Sequence, residues 1–222
     1  MTSLQKHLKR AFDLGFTLVA TIVLLPVGFV VALLIRLGSP GPVLYRSVRV
    51  GKNGRHFTLY KFRTMVSDAE ALGPSLTHKD DPRITRMGRV LRKTKFDEFP
   101  QVINVLNGDM SIVGPRPESA AYVSTYSPEQ RKVLRMKPGL TSLAQVVYRD
   151  EEALLTDQDI ETFYVNEVLP RKLALDLYYV QHWSLALDFK VFLLGLLALL
   201  SIPPPAVLWP FKDGTAPSRT EA

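Results

Sequence analysis

Two adjacent carboxylates, Asp97 and Glu98, stand just ahead of an apolar run, and an arginine set between prolines, Pro115-Arg116-Pro117, follows that run. All lie in residues 95–118, KFDEFPQVINVLNGDMSIVGPRPE. A helix starting at Lys95 or Phe96 and ending at Asn107-Gly108 places both acids in its first turn, because Pro100 is tolerated only near a helix start. Free N–H groups and the helix dipole there favour negative charge, so both acids are expected to be ionised. Adjacent helical residues point about 100° apart, so the pair cannot share a face. Their work is expected to divide, one as nucleophile or metal ligand and the other as base or second ligand. The plain alternative is two capping acids without chemistry. Prolines on both sides restrict the backbone of Arg116, so its guanidinium is held at small entropic cost and suits bidentate phosphate recognition.

Other cations extend this pattern. Lys61 and Arg63 alternate with Phe62, as in a strand that is either a solvated edge or a phosphate-facing wall. Arg83, Arg86, Arg89 and Arg92 recur every three residues along a helix opened by Asp80-Asp81-Pro82. That stripe is either a solvated face or a contact for lipid headgroups or substrate. Arg149 follows residues 143–148, read as a strand. A net charge of +7 over 222 residues favours an anionic partner. Nucleic acid is not the expected one, since stacking aromatics are not clustered. Cysteine is absent, so disulfides and thiolate metal sites are excluded, and the four histidines lack metal-ligand spacing. Neither a GxGxxG nor a Walker A pattern occurs, so a nucleotide must be held another way.

Residues 14–35 carry no charge and are long enough to cross a bilayer, which takes about 20 residues. Pro26 interrupts their hydrogen bonding, and basic residues flank both ends: Lys6, Lys9 and Arg10 before, Arg36, Arg46, Arg49 and Lys52 after. A spanning helix usually carries its lysines and arginines on the cytoplasmic side only. A helix that bends at Pro26 and returns to the same face satisfies that rule; a kinked spanning anchor is the alternative. Beyond it, strands are expected at 43–45, 48–50, 57–62 and 111–113, with turns at 52–55 and 137–141. Helices are expected within 65–79 and at 128–136, 159–167 and 173–179. Residues 189–202 are apolar but too short to span, and lie either in the interface or in the core. The expected fold is α+β and membrane-associated: an N-terminal re-entrant helix (1–38), a compact, mostly helical cytoplasmic domain with a few short strands (39–202) and a tail (203–222), mobile from 212.

Together these segments resemble the small bacterial phosphoglycosyl transferases, monotopic sugar transferases that start surface glycan assembly. The most specific matches are Asp97-Glu98, Asn104-Val105-Leu106, Gly108-Asp109-Met110-Ser111 and Val113-Gly114-Pro115-Arg116-Pro117. Supporting ones are Tyr60-Lys61-Phe62-Arg63-Thr64-Met65, Lys137-Pro138-Gly139-Leu140-Thr141, Ala144-Gln145-Val146 and Leu175-Asp176-Leu177-Tyr178-Tyr179. The chain departs from the family pattern at Leu25, Ser142-Leu143 and Val147-Tyr148, which makes the role of Arg149 less secure than that of Arg116. The resemblance implies transfer of a sugar-1-phosphate from a nucleotide diphosphate-sugar to a polyprenyl phosphate at the cytoplasmic face of the bacterial inner membrane. It implies Asp97 as the nucleophile, Glu98 as a magnesium ligand or proton carrier, and Mg2+ held by Asp97 and Glu98. Substrate contacts are expected from Lys61, Arg63, Arg92, Arg116 and Arg149. Membrane lipids are further partners, and a homodimer is left open. The rival from another class is a non-catalytic basic module that binds anionic membrane surfaces.

Overall fold

The computed structural model describes residues 2–73, 76–78, 81–149, 151 and 160–210. The expected Asp80 cap, the helix start at Asp159 and the tail at 212–222 lie outside the described residues. Helix α1 (Ser3–Gly38) opens with a capping box: the Thr2 hydroxyl accepts from the Gln5 N–H, and the Gln5 side chain accepts from the Thr2 N–H. It remains helical through Pro26. Leu18, Val19, Ile22, Val23 and Leu25 in its middle are exposed. Both ends are fastened to one globular body. Near the start, Lys9, Arg10 and Asp13 bond to groups between residues 105 and 113. Near the end, Val31 and Ile35 pack with Phe62 and Leu91. Gly28 admits the Phe99 ring so closely that a Cβ there would lie 2.9 Å from it.

Strands β1 (Leu44–Val50) and β2 (His56–Phe62) form an antiparallel hairpin, with Leu44 opposite Phe62 and Val50 opposite His56. The two short strands expected before the turn are one unbroken strand. Asn53, at φ 57°, and Gly54, at φ 77°, take the left-handed conformations that reverse the chain. Helix α2 (Ala69–Leu72) follows. Helix α3 (Arg86–Thr94) starts later than expected, with Thr85 as cap accepting from the Gly88 N–H at 2.9 Å. The chain before it turns at Pro82-Arg83, closed by the Ile84 N–H on the Asp81 carbonyl at 3.1 Å; Ile84 then bridges to Met65, and Arg83 folds back as a fork on Asp81. Arg83 is therefore buried and leaves the basic stripe.

Lys95 turns left-handed at φ 56° and ends α3, and the chain continues as a 3-10 turn (Phe96–Gln101) into α4 (Val102–Asn107), closed by Gly108 at φ 86°. Strand β3 (Ser111–Val113) and helix α5 (Ala120–Ser124) come next. Strand β4 (Gly139–Thr141) pairs in parallel with β3, where only a turn was expected. Three residues with a distant partner leave no local pattern to read. Residues 143–148, expected as a strand, form helix α6 (Leu143–Val147). The Ser142 hydroxyl caps it by accepting from the Gln145 N–H at 2.9 Å, and Leu143, Ala144 and Val147 bury one helical face. Helix α7 (Ile160–Phe163) passes through a π-helical turn (Tyr164–Val168) into α8 (Leu169–Gln181), followed by α9 (Leu185–Leu199).

The main core gathers around β3, with Val105, Met110, Val113, Leu143, Ala144 and Val191 among its buried members. Helix α9 buries one face in the core and leaves the other exposed. Leu187, Val191 and Leu194 face the core, while Phe189, Leu196 and Leu199 are exposed. Phe192 meets Phe16 of α1 with ring centroids 4.5 Å apart, so the exposed apolar faces of the two helices adjoin. Short strands among many helices make the fold α+β.

Candidate active site

A cleft of about 1110 Å³ opens beside the hairpin, with Lys61, Arg92, Asp97, Glu98, Arg116 and Arg149 among its lining residues. Basic side chains outnumber acidic ones along its wall, so the field inside favours a polyanion. The left-handed break at Lys95 aims the 3-10 turn, which carries Asp97 and Glu98, at the cleft floor. The turn's aromatic residues fix its other side: Phe96 stacks on Phe99 at 5.2 Å and on Phe62 at 6.2 Å. Asn104, fully buried on α4, donates to the Thr58 carbonyl at 2.6 Å and accepts from the Tyr60 N–H at 3.2 Å. Those bonds lock β2 against α4 and place Lys61 over Glu98.

The two acids lie in different surroundings. Glu98 Oε1 accepts from Lys61 Nζ at 2.8 Å and from Arg116 Nη2 at 2.7 Å. Its Oε2 accepts from Arg116 Nη1 at 3.2 Å and Gln145 Nε2 at 3.0 Å. Burial alone would raise the Glu98 pKa, but Arg116 and Lys61 outweigh it and hold the carboxyl well below its ordinary range. Asp97 is equally buried, yet its Oδ1 has no hydrogen-bond partner. Burial raises the Asp97 pKa, Lys61 opposes that in part, and the Glu98 charge adds to it. The expected helix-start stabilisation thus fails to hold Asp97 down, because a short 3-10 turn in a buried floor offers less than desolvation removes.

The other expected site residues separate in the same way. Arg116, expected to grip phosphate, directs both terminal nitrogens to Glu98. Arg63 lines the cleft, but its guanidinium bonds to the linker after α1 through Ser39 and the Pro40 carbonyl, and to Ser67 at 3.0 Å. Arg92 Nε donates to Thr64 Oγ1 at 3.0 Å, and Arg149 lies on the cleft wall. Among the described residues, no three His, Cys, Asp or Glu side chains converge in a way that could hold a metal ion. Glu98, with all four donors in place, is a poor ligand, whereas Asp97 Oδ1 is available. Mg2+ commonly takes one or two carboxylates and completes its shell with substrate phosphates and water, so Asp97 with a diphosphate fits such an ion.

Gln145, Lys172 and Asp176 were not anticipated as site residues. Reading 143–148 as a strand hid Gln145. Lys172 and Asp176 did leave a signal: two charged residues share the apolar stripe of Leu169, Leu173 and Tyr179 on α8, where burial demands partners.

The bacterial sugar transferase family model matches residues 4–201, from the start of α1 past the end of α9. The chain belongs to this family. One relative, the exopolysaccharide production protein PSS of Rhizobium leguminosarum bv. phaseoli, is 42% identical over 191 residues, covering 83% of this chain and 90% of the relative. A second, the UDP-glucose:undecaprenyl-phosphate glucose-1-phosphate transferase of Caulobacter vibrioides, is 39% identical over 196 residues, 87% of this chain and 70% of the relative. A third is the UDP-N-acetylgalactosamine-undecaprenyl-phosphate N-acetylgalactosaminephosphotransferase of Aeromonas hydrophila, 38% identical over 189 residues. The match covers 83% of this sugar transferase but only 41% of that longer relative.

Proposed function

We propose that this sugar transferase moves a sugar-1-phosphate from a nucleotide diphosphate-sugar to a polyprenyl phosphate, releasing a nucleoside monophosphate, through a phosphosugar carried on Asp97. One observation carries this reading: a buried carboxylate with an unpartnered oxygen at the floor of a basic cleft, beside a second acid already saturated by cations. The names of the Caulobacter and Aeromonas relatives, both undecaprenyl-phosphate sugar phosphotransferases, support the acceptor and the reaction class.

In the first step a carboxylate oxygen of Asp97 attacks the sugar-bearing phosphorus. The P–O bond to the nucleoside monophosphate breaks, and that group leaves with the bonding pair. In the second step an oxygen of the polyprenyl phosphate attacks the same phosphorus, the Asp97–phosphorus bond breaks and the carboxylate is regenerated. Neither step needs a general base on the chain. Glu98 acts as a holder that fixes Lys61 and Arg116 where charge builds during transfer, so their field is in place before substrate arrives. Mg2+, held through Asp97 and the diphosphate, would supply charge neutralisation between nucleophile and substrate.

The lipid side rests on α1. A 36-residue helix is about 54 Å long at the usual rise, well beyond a hydrocarbon thickness of about 30 Å. Residues 9–13 and 31–35 both touch the same domain, which suits a helix that enters and leaves on one face better than one that crosses. Phe99, two residues after Asp97, packs on Gly28 of α1, so a lipid phosphate following this helix arrives beside the turn that bears Asp97. The flanking basic residues favour the cytoplasmic side for that face.

The test is release of nucleoside monophosphate on incubation with nucleotide diphosphate-sugars and polyprenyl phosphate. Asp97→Asn is expected to lower turnover by on the order of 10^4-fold or more and to abolish the covalent phosphosugar adduct in mass spectra. Full turnover by this variant would sink the proposal. Salt-sensitive vesicle binding without any monophosphate release would favour the non-catalytic membrane module.

A further inference from the structure

We infer that Asp176 is a positioning residue for this site: its carboxylate holds, through backbone N–H groups, the two segments that bring Arg116 and Gln145 onto Glu98. The inference rests on the phosphosugar-transfer reading above. Pro115 and Pro117 have no N–H, so the Arg116 N–H is the only backbone donor in that three-residue segment. It lies outside β3 and donates to Asp176 Oδ2 at 2.8 Å. Asp176 Oδ1 faces the N–H of Ala144 at 3.5 Å, next to Gln145 on α6.

The carboxylate is 3% exposed and sits on α8, an element that itself sends nothing to Glu98. Three of the four donors to Glu98, the two from Arg116 and the one from Gln145, come from backbone joined through Asp176. The fourth, Lys61, arrives from β2 without that link. One helical turn earlier on α8, Lys172 Nζ reaches Glu118 at 3.5 Å and Glu151 at 2.9 Å. Helix α8 therefore grips the proline-flanked segment at Arg116 and again at Glu118. Burial pushes the Asp176 pKa up to about 7, and the N–H groups of Arg116 and Ala144 lower it only in part. A buried acid under that strain persists in a fold only where the surrounding structure holds it there.

A double-mutant cycle tests this, with monophosphate release as readout and melting temperature measured on every variant. Asp176→Asn and Asp176→Ser are each expected to lower kcat by roughly 10- to 100-fold while leaving a cooperative melting transition. In an Arg116→Lys background the same change is expected to cost less than about threefold, because the group that Asp176 places has already lost its fork. In a Lys61→Met background the full loss should persist. If Arg116→Lys is too slow to measure, Gln145→Leu takes its place under the same criterion. Equal losses in both backgrounds, no loss in the wild-type background, or failure of both Asp176 variants to fold would each overturn the inference. Failure of the wild-type enzyme to release monophosphate would instead overturn the transfer reading.

Discussion

The buried ion cluster that fastens α1 and the one that floors the cleft use the same kinds of side chain but differ in completeness. At the first, Lys9 Nζ bonds to the Val113 carbonyl at 2.9 Å and Asp188 at 2.7 Å. Asp188 also accepts from Tyr179 at 2.5 Å and Trp183 at 3.2 Å. Asp13 takes the Ser111 hydroxyl and the Ile112 N–H. At the second, Glu98 is as fully served, but Asp97 beside it keeps an oxygen without a partner. A satisfied buried network has nothing left to offer a substrate; it holds elements together. A buried carboxylate oxygen without a partner is costly by itself and becomes favourable once it meets phosphorus or a metal ion. This difference is the one on which the proposed role of Asp97 rests.

Three experiments challenge the distinction, beginning with the largest effect. Lys9→Ala is expected to destabilise the fold by roughly 3–5 kcal/mol, since it strands Asp188 in a buried site. Denaturation in detergent would show it, while turnover per folded molecule stays within a fewfold. A selective loss of turnover without a change in stability would make the anchor part of the site. Glu98→Gln is expected to lower turnover by about 10^2-fold, because the amide holds Lys61 and Arg116 weakly. Covalent adduct on Asp97 should still form slowly, and complete loss of adduct would give Glu98 a direct chemical role.

The smallest effect is on pH dependence. In the proposed transfer Asp97 must be ionised to attack, and its pKa is raised, so kcat/KM is expected to climb with pH through that raised value. Lys61→Met removes a cation that lowers the Asp97 pKa, so the acid limb should move to higher pH. Glu98→Gln removes a charge that raises it, so the limb should move lower. Limbs that stay put in both variants would mean the profile reports another group.

Much of the site was legible from residue types. Asp97 and Glu98 stood out because adjacent acids before an apolar run must lie near a helix start, and Pro100 fixed where. Lys61 was legible through strand alternation beside Phe62. Arg116 was legible as an immobilised cation through its two prolines, but not the identity of its partner. That its terminal nitrogens meet Glu98 depends on a contact between residues 18 positions apart, which no local periodicity encodes. Arg83 and Arg63 both line the cleft, but where their guanidiniums bond was equally illegible. Their guanidiniums found nearer acceptors, Asp81 in one case and the linker after α1 in the other.

The sequence by itself determined the apolar α1 with basic residues at both ends, the turn between β1 and β2 and the placement of two acids in one turn. These follow from hydrophobic spacing, turn residues and proline, all of which act over a few positions. Only the tertiary structure decided that both ends of α1 meet one domain, that β3 pairs with β4 and that residues 143–147 are helical. It alone decided that Glu98 is saturated while Asp97 is not. Burial and the convergence of Lys61, Arg116 and Gln145 set those outcomes, and both arise where distant segments pack together.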